Sequence, residues 1–441
     1  MLDTKVDPGL EGEIIATVNE NAKALEDLTA TLVRFPSLMG EEASAQDFME
    51  GLFQGMGLKT DRFPVDPNKL QGMPGYAPAT GHWHRHENIV GVHEPSKRSG
   101  HSLILNGHID VVPVGAEELW SSPPFEPRAD KGRLYGRGAG DMKAGIAAYV
   151  MAYRSLRQLG LEPAAPVYLQ SVVEEECTGN GALACLAQGY RAEAAIIPEP
   201  FNETVLRAQV GVLWLSVEVL GRPAHVFQAQ RGINAIEAAF TLYQGLKRLE
   251  AQWNEPAHRH SSFVNHERPI NFNLGKIRGG EWHSSVATRC VMDIRIGFYP
   301  GMSVKEAQEA VESALRQTAK DHPKFGDVIV RVTYAGLQSE GCLVDTAHPS
   351  IDILRASHER VCGTPPHWMD MSGTTDVRVF NLYGSTPATC YGPEAQHIHG
   401  IDESVCMEST RRVCTVLALF IARWCGVNRG QGHPLRGAQR P

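Results

Sequence analysis

The sequence has no long apolar run. The longest late one, Val416 to Ala422, is far shorter than the roughly eighteen residues that a membrane helix requires. Positive charge is not in excess, because 42 lysines and arginines face 50 aspartates and glutamates, and this argues against a nucleic-acid footprint. No C-x-x-C pair occurs among the nine cysteines, and the first residues, MLDTKVDPGLEGE, do not resemble a secretory signal peptide. We therefore expect a cytoplasmic protein with reduced thiols that binds neither nucleic acid nor membranes.

Strands and helices alternate along most of the chain, which is typical of an α/β fold. Apolar runs that predict buried strands occur at 103–105, 167–173 and 194–197, with helical patterns between them. This alternation predicts a doubly wound, mostly parallel sheet. At 441 residues the chain is also too long for one ordinary core.

The pattern changes near residue 208, where the strands become half exposed. The order of elements from there is β-α-β-β-α-β, which is of ferredoxin-like length. These elements are predicted at 212–220, 233–249, 271–278, 286–296, 303–319 and 328–334. We therefore predict an inserted α+β domain at 208–334, within a discontinuous larger domain made of residues 1–207 and 335–441.

Histidines and carboxylates follow the predicted strands and turns in a pattern typical of a metal site. The candidate ligands are His108, Asp141, Glu176, Glu199 and a histidine of the segment HIHGIDE. Imidazole and carboxylate ligands suit zinc, with cobalt or manganese as substitutes. Two metal ions need a bridging ligand, and we assign the bridge to Asp141, which follows a glycine-rich turn.

Two residues beside these ligands are candidates for supporting roles. We expect Asp110 to accept the ring N–H of His108, with a solvated aspartate at a strand end as the alternative. The triplet Glu174-Glu175-Glu176 is either a charged surface turn or part of the metal site. Its position directly after a buried strand favours the metal site. A carboxylate next to a metal ligand is well placed to act as a general base.

A further group of histidines lies in or beside a loop, residues 63–86, that is rich in proline and glycine. These histidines are His82, His84, His86 and His93. No cluster of cysteines or carboxylates accompanies them in the sequence. We therefore interpret them as surface histidines rather than as a second metal site.

An ordered set of motifs gives the clearest indication of function. The segments are GHIDVVPVG, GRLYGRGAGDMKAG, VVEEECTGNGA, IIPEP, GRPAHVFQAQRGINAIEA and YGPEAQHIHGIDESV. In this order they closely resemble the di-zinc family of amidohydrolases and peptidases. That family includes acetylornithine deacetylase, succinyl-diaminopimelate desuccinylase, aminoacylase and a glutamate-releasing zinc carboxypeptidase. The resemblance covers about residues 20–425.

The resemblance implies a role for each matching residue. The implied zinc ligands are His108, Asp141, Glu176, Glu199 and His399. His399 is selected over His397 because relatives place this ligand before x-x-Asp/Asn-Glu. Glu175 would be the general base, and Asp110 would orient His108.

The resemblance also implies a homodimer, with the inserted domain acting as the dimerisation and lid domain. His225, in GRPAH, matches a histidine that reaches into the partner's active site and contacts the developing oxyanion. Loss of such a donor costs about 3–4 kcal/mol of transition-state stabilisation. Arg378 matches an arginine that holds the carboxylate of the substrate, and a structural ion pair with Asp376 is the alternative.

We therefore predict a zinc-dependent amidohydrolase that cleaves a small N-acyl amino acid, with a metal-activated water and Glu175 as the base. Close alternatives are a dipeptidase or carboxypeptidase of the same family. Two less favoured alternatives are a two-metal phosphoesterase and a non-catalytic binding protein. A general base such as Glu175 would have no function in a protein that only binds its ligand. Ser285 and Ala287, in HSSVAT, replace an Asn-x-Val-Pro motif that often helps to bind substrate. The resemblance therefore leaves the substrate open.

Overall fold

The computed structural model describes residues 6–79, 81, 85–323, 325, 326 and 328–429, and these form a mixed α/β fold, as predicted. His82 and His84 lie outside the described residues. The described part of the chain contains ten α-helices: α1 (Pro8–Glu20), α2 (Ala22–Val33), α3 (Ala43–Gly55), α4 (Pro67–Leu70), α5 (Ala144–Gln158), α6 (Asn180–Ala187), α7 (Ala235–Trp253), α8 (Val304–Asp321), α9 (Pro349–Cys362) and α10 (Met407–Trp424). No helix among these residues combines the length and the apolar content needed to cross a membrane.

The strands of the described residues are mostly short. They are β1 (Lys59–Pro64), β2 (Glu87–His93), β3 (Leu103–His108), β4 (Arg128–Asp130), β5 (Arg133–Tyr135), β6 (Leu161–Pro163), β7 (Val167–Val172), β8 (Ala194–Ile197), β9 (Val205–Gln209), β10 (Gly211–Leu220), β11 (Phe272–Gly279), β12 (Arg289–Phe298), β13 (Ile329–Ser339), β14 (Cys342–Leu343), β15 (Trp368–Met371), β16 (Ala388–Cys390), β17 (Ala395–Gln396), β18 (Ser404–Cys406) and β19 (Val427–Arg429). Short helical turns lie at Glu117–Leu119, Ala139–Lys143, Val226–Arg231, Pro256–His258, Ser261–Phe263 and Val379–Gly384.

The largest sheet has six strands in the order β1-β2-β7-β3-β8-β16. Strands β7, β3, β8 and β16 are parallel to one another, whereas β2 is antiparallel to both β1 and β7. Every residue of β3 is buried, as expected for a strand that is covered on both faces. Because β7, β3 and β8 are parallel, their carboxyl ends meet at one edge of the sheet, the usual location of a ligand site.

Residues 211–339 form a second sheet, with the order β11-β12-β10-β13 and antiparallel pairing throughout. Its elements follow one another as β10-α7-β11-β12-α8-β13. Alternate residues of β10 and β12 are buried, so one face of the sheet packs on α7 and α8 while the other carries polar side chains. Helix α8 begins at a capping box, in which Ser303 and Glu306 each satisfy the other's backbone N–H.

Two large clusters of buried apolar residues hold the described chain together. One draws on residues 14–206 and 342–425, and the other on residues 208–325. Each sheet therefore has its own core. The polar face of the second sheet is left to line the cavity described below.

Candidate metal centre

The candidate ligands lie where neighbouring parallel strands end. His108 is the last residue of β3, the triplet Glu174-Glu175-Glu176 follows β7, and Glu199 follows β8. Asp141 lies in the turn before α5, and His399 lies in the loop between β17 and β18. Sheet order therefore brings together side chains that are far apart in the sequence.

These residues form two groups of ligand atoms that share Asp141. In the first group, His108 Nε2 lies 3.1 Å from Asp141 Oδ1 and 3.8 Å from Glu199 Oε1. In the second, His399 Nε2 lies 3.4 Å from Asp141 Oδ2 and 3.1 Å from Glu176 Oε1. Within each group the ligand atoms all lie within 4.8 Å of one another. Asp141 thus offers one carboxylate oxygen to each group.

The charges at the centre suit a pair of divalent cations. Burial raises the pKa of Glu199 well above its ordinary value, and the charge of Asp141 raises it further. Burial also favours the neutral form of Asp141, but contacts with His108 and His399 hold its pKa well below the usual range. The charge of Glu176 raises the pKa of His399 to about 11. Crowded carboxylates with two imidazoles therefore fit two cations that share Asp141.

The structure corrects the predicted contact between Asp110 and His108. The ring Nδ1 of His108 lies 2.9 Å from the backbone carbonyl of Asp110, whereas the nearest oxygen of the Asp110 carboxylate is 3.7 Å away. A carbonyl can only accept, so Nδ1 carries a proton and Nε2 is the ring atom that could bind a metal ion. The Asp110 carboxylate instead accepts the backbone N–H of Glu176 at 3.1 Å. The backbone that follows His108 places the carbonyl of Asp110, rather than its carboxylate, beside the ring of His108.

Glu175 lines an open cavity of about 1150 Å³. It is only 7% exposed, and burial raises its pKa well above the ordinary value, so the carboxylate is a stronger base than a surface glutamate. The residues Asp141, Glu176, Glu199 and His399 line the same cavity. The triplet is therefore not a charged surface turn.

The opposite wall of the cavity is the polar face of the second sheet, where sequence reasoning did not identify a functional residue. Its lining includes Trp214, Asn273, Lys276, Arg278, Asp293, Arg295 and Thr333. Arg295 is partly buried and donates to the carbonyls of Asn271 and Ser372, both at 3.0 Å. It forms no ion pair with any described carboxylate, and burial lowers its pKa to about 10. Successive side chains of a strand point to opposite faces, and this alternation in β12 could have been used to predict that Arg295 lies on the polar face.

Arg378 and His225 do not line this cavity. Arg378 is 1% exposed and donates to the carbonyls of Thr375, at 2.7 Å, and Thr178, at 3.2 Å. In the described part of the chain it makes no ion pair with Asp376, so the alternative we considered for it is wrong. His225 is exposed, and its Nδ1 accepts the backbone N–H of Phe227 at 3.1 Å.

Two of the loop histidines are buried, so their interpretation as surface residues is wrong. His86 and His93 are each 7% exposed. His93 ends β2 and lies 2.8 Å from the carbonyl of Pro163, while His86 contacts two carboxylates. Sequence reasoning missed both because their partners come from distant segments.

Comparison with known proteins is consistent with this geometry. The family model described as peptidase family M20/M25/M40 matches residues 104–423. An N-formyl-4-amino-5-aminomethyl-2-methylpyrimidine deformylase from Halalkalibacterium halodurans is 28% identical over 440 residues, covering 95% of this chain and 98% of that protein. A succinyl-diaminopimelate desuccinylase from Rhodospirillum centenum is 26% identical over 412 residues, covering 90% and 96%. The solved structure of the dipeptidase Dug1p from Saccharomyces cerevisiae has a TM-score of 0.75 at 12% identity, covering 94% of this chain and 98% of that one. That likeness shows a shared fold.

Proposed function

Because the chain belongs to peptidase family M20/M25/M40, we propose that it removes an acyl group from an amine by hydrolysing one amide bond at a two-metal centre. The chain is thus a hydrolase of amide or peptide bonds, and the family resemblance seen in its motifs is confirmed. The observation that carries the proposal is the pair of ligand groups that share Asp141 beside the buried Glu175.

We assign the two cation positions to the two ligand groups. His108, Asp141 and Glu199 would hold one ion, and Asp141, Glu176 and His399 the other. Mixed imidazole and carboxylate ligands make zinc the favoured metal, with cobalt or manganese as substitutes. When bound, such ions supply Lewis-acid polarisation of the amide carbonyl and lower the pKa of water.

Glu175 performs the proton transfers of the proposed reaction. Its raised pKa suits a base that accepts a proton from the attacking water and returns that proton to the leaving amine. Asp110 supports the reaction indirectly: its backbone carbonyl fixes the tautomer of His108, and its carboxylate holds the backbone of Glu176. We propose that His225 of a second subunit donates to the developing oxyanion.

The proposed substrate is an N-acyl amino acid, and Arg295 is the residue that favours it. This guanidinium lines the cavity and has no carboxylate partner among the described residues, so it can accept one from the substrate. Arg378 is buried behind the cavity, in contact with backbone carbonyls, and we therefore propose that it supports the loop of Thr375 and acts on the substrate only indirectly. A dipeptide with a free carboxylate would make the same contact with Arg295.

A second candidate substrate is an N-formyl aminomethylpyrimidine. The relative named as a deformylase of such a compound covers nearly the whole chain, and this specific observation favours it. Trp214 lines the cavity and offers a flat apolar surface on which a pyrimidine ring could stack. This substrate carries no carboxylate, so its hydrolysis would not depend on the charge of Arg295.

We also propose a homodimer in which residues 208–334 form an inserted dimerisation and lid domain, joined to a catalytic domain of residues 1–207 and 335–441. The separate core of this segment supports the division. Large apolar side chains are exposed beside His225, with Phe227 82% and Trp282 71% exposed. The segment after Trp282 lies against the one after His225, since the carbonyl of Ser284 accepts from Val226 at 3.1 Å. An apolar patch of this kind is typical of a subunit contact.

A substrate panel tests the proposal. Zinc-loaded and cobalt-loaded protein is assayed with N-acyl amino acids, dipeptides, the N-formyl aminomethylpyrimidine and a phosphodiester. We expect turnover of at least one amide, and a fall in kcat of about a hundredfold to ten-thousandfold in Glu175→Gln. Glu250→Gln is the matched control, because Glu250 is 3% exposed and lies in the core of the second sheet, away from the site.

The panel also separates the candidate substrates. Arg295→Met should raise KM for an N-acyl amino acid or a dipeptide and leave hydrolysis of the formylpyrimidine nearly unchanged. Wild-type rates in Glu175→Gln on the best substrate would contradict the proposed base. Turnover of the phosphodiester alone would contradict amide hydrolysis.

A further inference from the structure

The turn that carries Glu175 begins in a strained conformation. Glu174 has a φ of +66°, in the left-handed region that residues other than glycine rarely adopt. Such strain persists only where surrounding contacts over-determine the backbone. The Glu174 carbonyl accepts the N–H groups of Thr178, at 3.0 Å, and Gly179, at 2.7 Å. Its carboxylate accepts from Asn180 Nδ2 at 3.1 Å and from the hydroxyl of Thr178. The side chain of Glu174 is thus directed into the protein.

His86 connects this turn to a distant segment. Its Nε2 lies 2.9 Å from Glu174 Oε1, and its Nδ1 lies 3.2 Å from Glu42 Oε2. All three side chains are buried, with residue exposures of 7% for His86, 3% for Glu174 and 1% for Glu42. Glu42 immediately precedes α3, and its other oxygen accepts the backbone N–H of Gly40 at 2.9 Å. Glu42, which contacts His86, is therefore itself held in place by the backbone beside it.

The charge of this cluster is consistent with a double contact. Burial disfavours the imidazolium form of His86, but the contacts with Glu174 and Glu42 raise its pKa to about 9. At neutral pH the ring is therefore an imidazolium, whose Nδ1 hydrogen-bonds to Glu42 and whose Nε2 forms an ion pair with Glu174. Burial strengthens the attraction between these opposite charges.

The other end of the turn is held independently. The carboxylate of Asp110 accepts the backbone N–H of Glu176 at 3.1 Å. Glu175 therefore lies between two fixed points, His86 acting on the residue before it and Asp110 on the residue after it. The proposed reaction needs the Glu175 carboxylate placed to within a fraction of an ångström, because small errors in position cost large factors in rate.

We propose that His86 is a positioning residue that holds Glu174 and thereby sets the positions of Glu175 and Glu176. This inference rests on the proposed function, in which Glu175 is the base and Glu176 a metal ligand. His86 belongs to neither of the two ligand groups and does not line the cavity. It acts through the backbone of the turn.

The test compares His86→Ala with His93→Ala. His93 is a suitable control because it is equally buried and its ring contacts a backbone carbonyl, and it is the last residue of β2, seven residues after His86, at the end of the strand away from the site. We expect His86→Ala to lower kcat by about ten- to a hundredfold with little change in KM, and to weaken zinc binding, measured by competition with a chelator, by a similar factor. His93→Ala should lose thermal stability to a similar degree and retain kcat and zinc affinity.

Two further variants decide the matter if His86→Ala does not fold. Glu42→Gln keeps the size of the Glu42 side chain and removes its charge, and His86→Gln keeps one hydrogen-bond donor at position 86. Both variants should therefore lower kcat, but by a smaller factor than the factor expected for His86→Ala. Wild-type kcat and zinc affinity in these variants, together with an inactive Glu175→Gln, would overturn the role of His86 and leave the proposed function intact. An active Glu175→Gln would instead overturn the proposed function.

Discussion

Several glutamates and aspartates surround the candidate metal centre, and their surroundings give them different affinities for a proton. Asp141 faces two imidazoles, which hold its pKa well below the usual range despite burial. Burial instead raises the pKa of Glu199 and of Glu175 well above the ordinary value. The charge of Glu176 raises the pKa of His399 to about 11, so this imidazole carries a proton at neutral pH before metal binds. Carboxylates that lie close together in this centre thus differ in how readily they bind a proton.

This distribution of protons predicts that metal affinity rises with pH. Divalent ions need deprotonated ligands, so binding must displace the proton of His399, and the raised pKa of Glu199 acts in the same direction. Below the pKa of His399, which is about 11, the zinc affinity should therefore increase with pH, with protons released to the buffer. Calorimetric titrations in two buffers of different ionisation enthalpy count those protons. His399→Ala should release fewer protons, and an affinity independent of pH would contradict this account.

At the scale of elements, a buried ion pair joins two segments that carry candidate metal ligands. Arg137 and Glu403 are each 1% exposed, and their side chains are 2.6 Å apart. Glu403 also accepts the backbone N–H groups of Gly140, at 2.9 Å, and Asp141, at 3.0 Å. Arg137 donates to the carbonyl of Gly400 at 3.1 Å. The loop of His399 is thereby held against the turn of Asp141.

Removing one member of this pair should be strongly destabilising. Glu403→Ala leaves the buried charge of Arg137 unpaired, so we expect the free energy of unfolding to fall by about 3–5 kcal/mol. The control is Glu394→Ala, because the pair of Glu394 with Arg133 has side chains that are 43% and 14% exposed. An exposed pair of this kind contributes about 0–1 kcal/mol. Urea denaturation of the metal-free proteins measures both, and equal losses would refute the proposed role of the buried pair.

Much of this arrangement could be predicted from local sequence, for a physical reason. Residues such as His108 and Glu199 directly follow apolar runs, and the ends of neighbouring parallel strands converge. The choice of His399 over His397 needed the family motif, and the structure places His399, not His397, beside Glu176. The role of Glu403 was not predicted, because its partner Arg137 is 266 residues away and no local pattern relates the two.

Two other residues escaped prediction for similar reasons. His86 lies in a segment rich in proline and glycine, where exposure is the usual expectation, and its burial depends on Glu42 and Glu174 from other parts of the fold. Arg295 sits on the polar face of a strand, and such faces are usually solvated. Only the packing of the second sheet over the ligand cluster turns that face into a cavity wall. Local patterns in a single sequence do not show which distant segments pack against each other.

At the scale of the whole molecule, the site lies between the strand ends of one sheet and the polar face of the other. The cavity is therefore bounded by both cores, and its shape depends on how the two sheets pack. His225 lies on the second-sheet segment but outside this cavity, on a surface that also exposes Phe227. In the proposed homodimer, the histidine at each site would be His225 of the other subunit.

Mixing two inactive variants tests this arrangement. In a heterodimer of His225→Ala and Glu175→Gln, the site with an intact Glu175 receives an intact His225 from the other subunit. Random pairing should therefore restore about a quarter of the wild-type activity, since half of the dimers contain one complete site. His258→Ala, which removes another exposed histidine of this segment, should remain active alone. Failure of the mixture to recover activity would rule out a histidine supplied by the partner.

Anomalous diffraction at the zinc edge, from crystals grown with zinc, tests whether two cations share Asp141. We expect two peaks about 3–4 Å apart on either side of Asp141. One peak should lie beside His108 and Glu199, and the other beside Glu176 and His399. A single peak, or no peak within reach of these side chains, would contradict a two-metal centre.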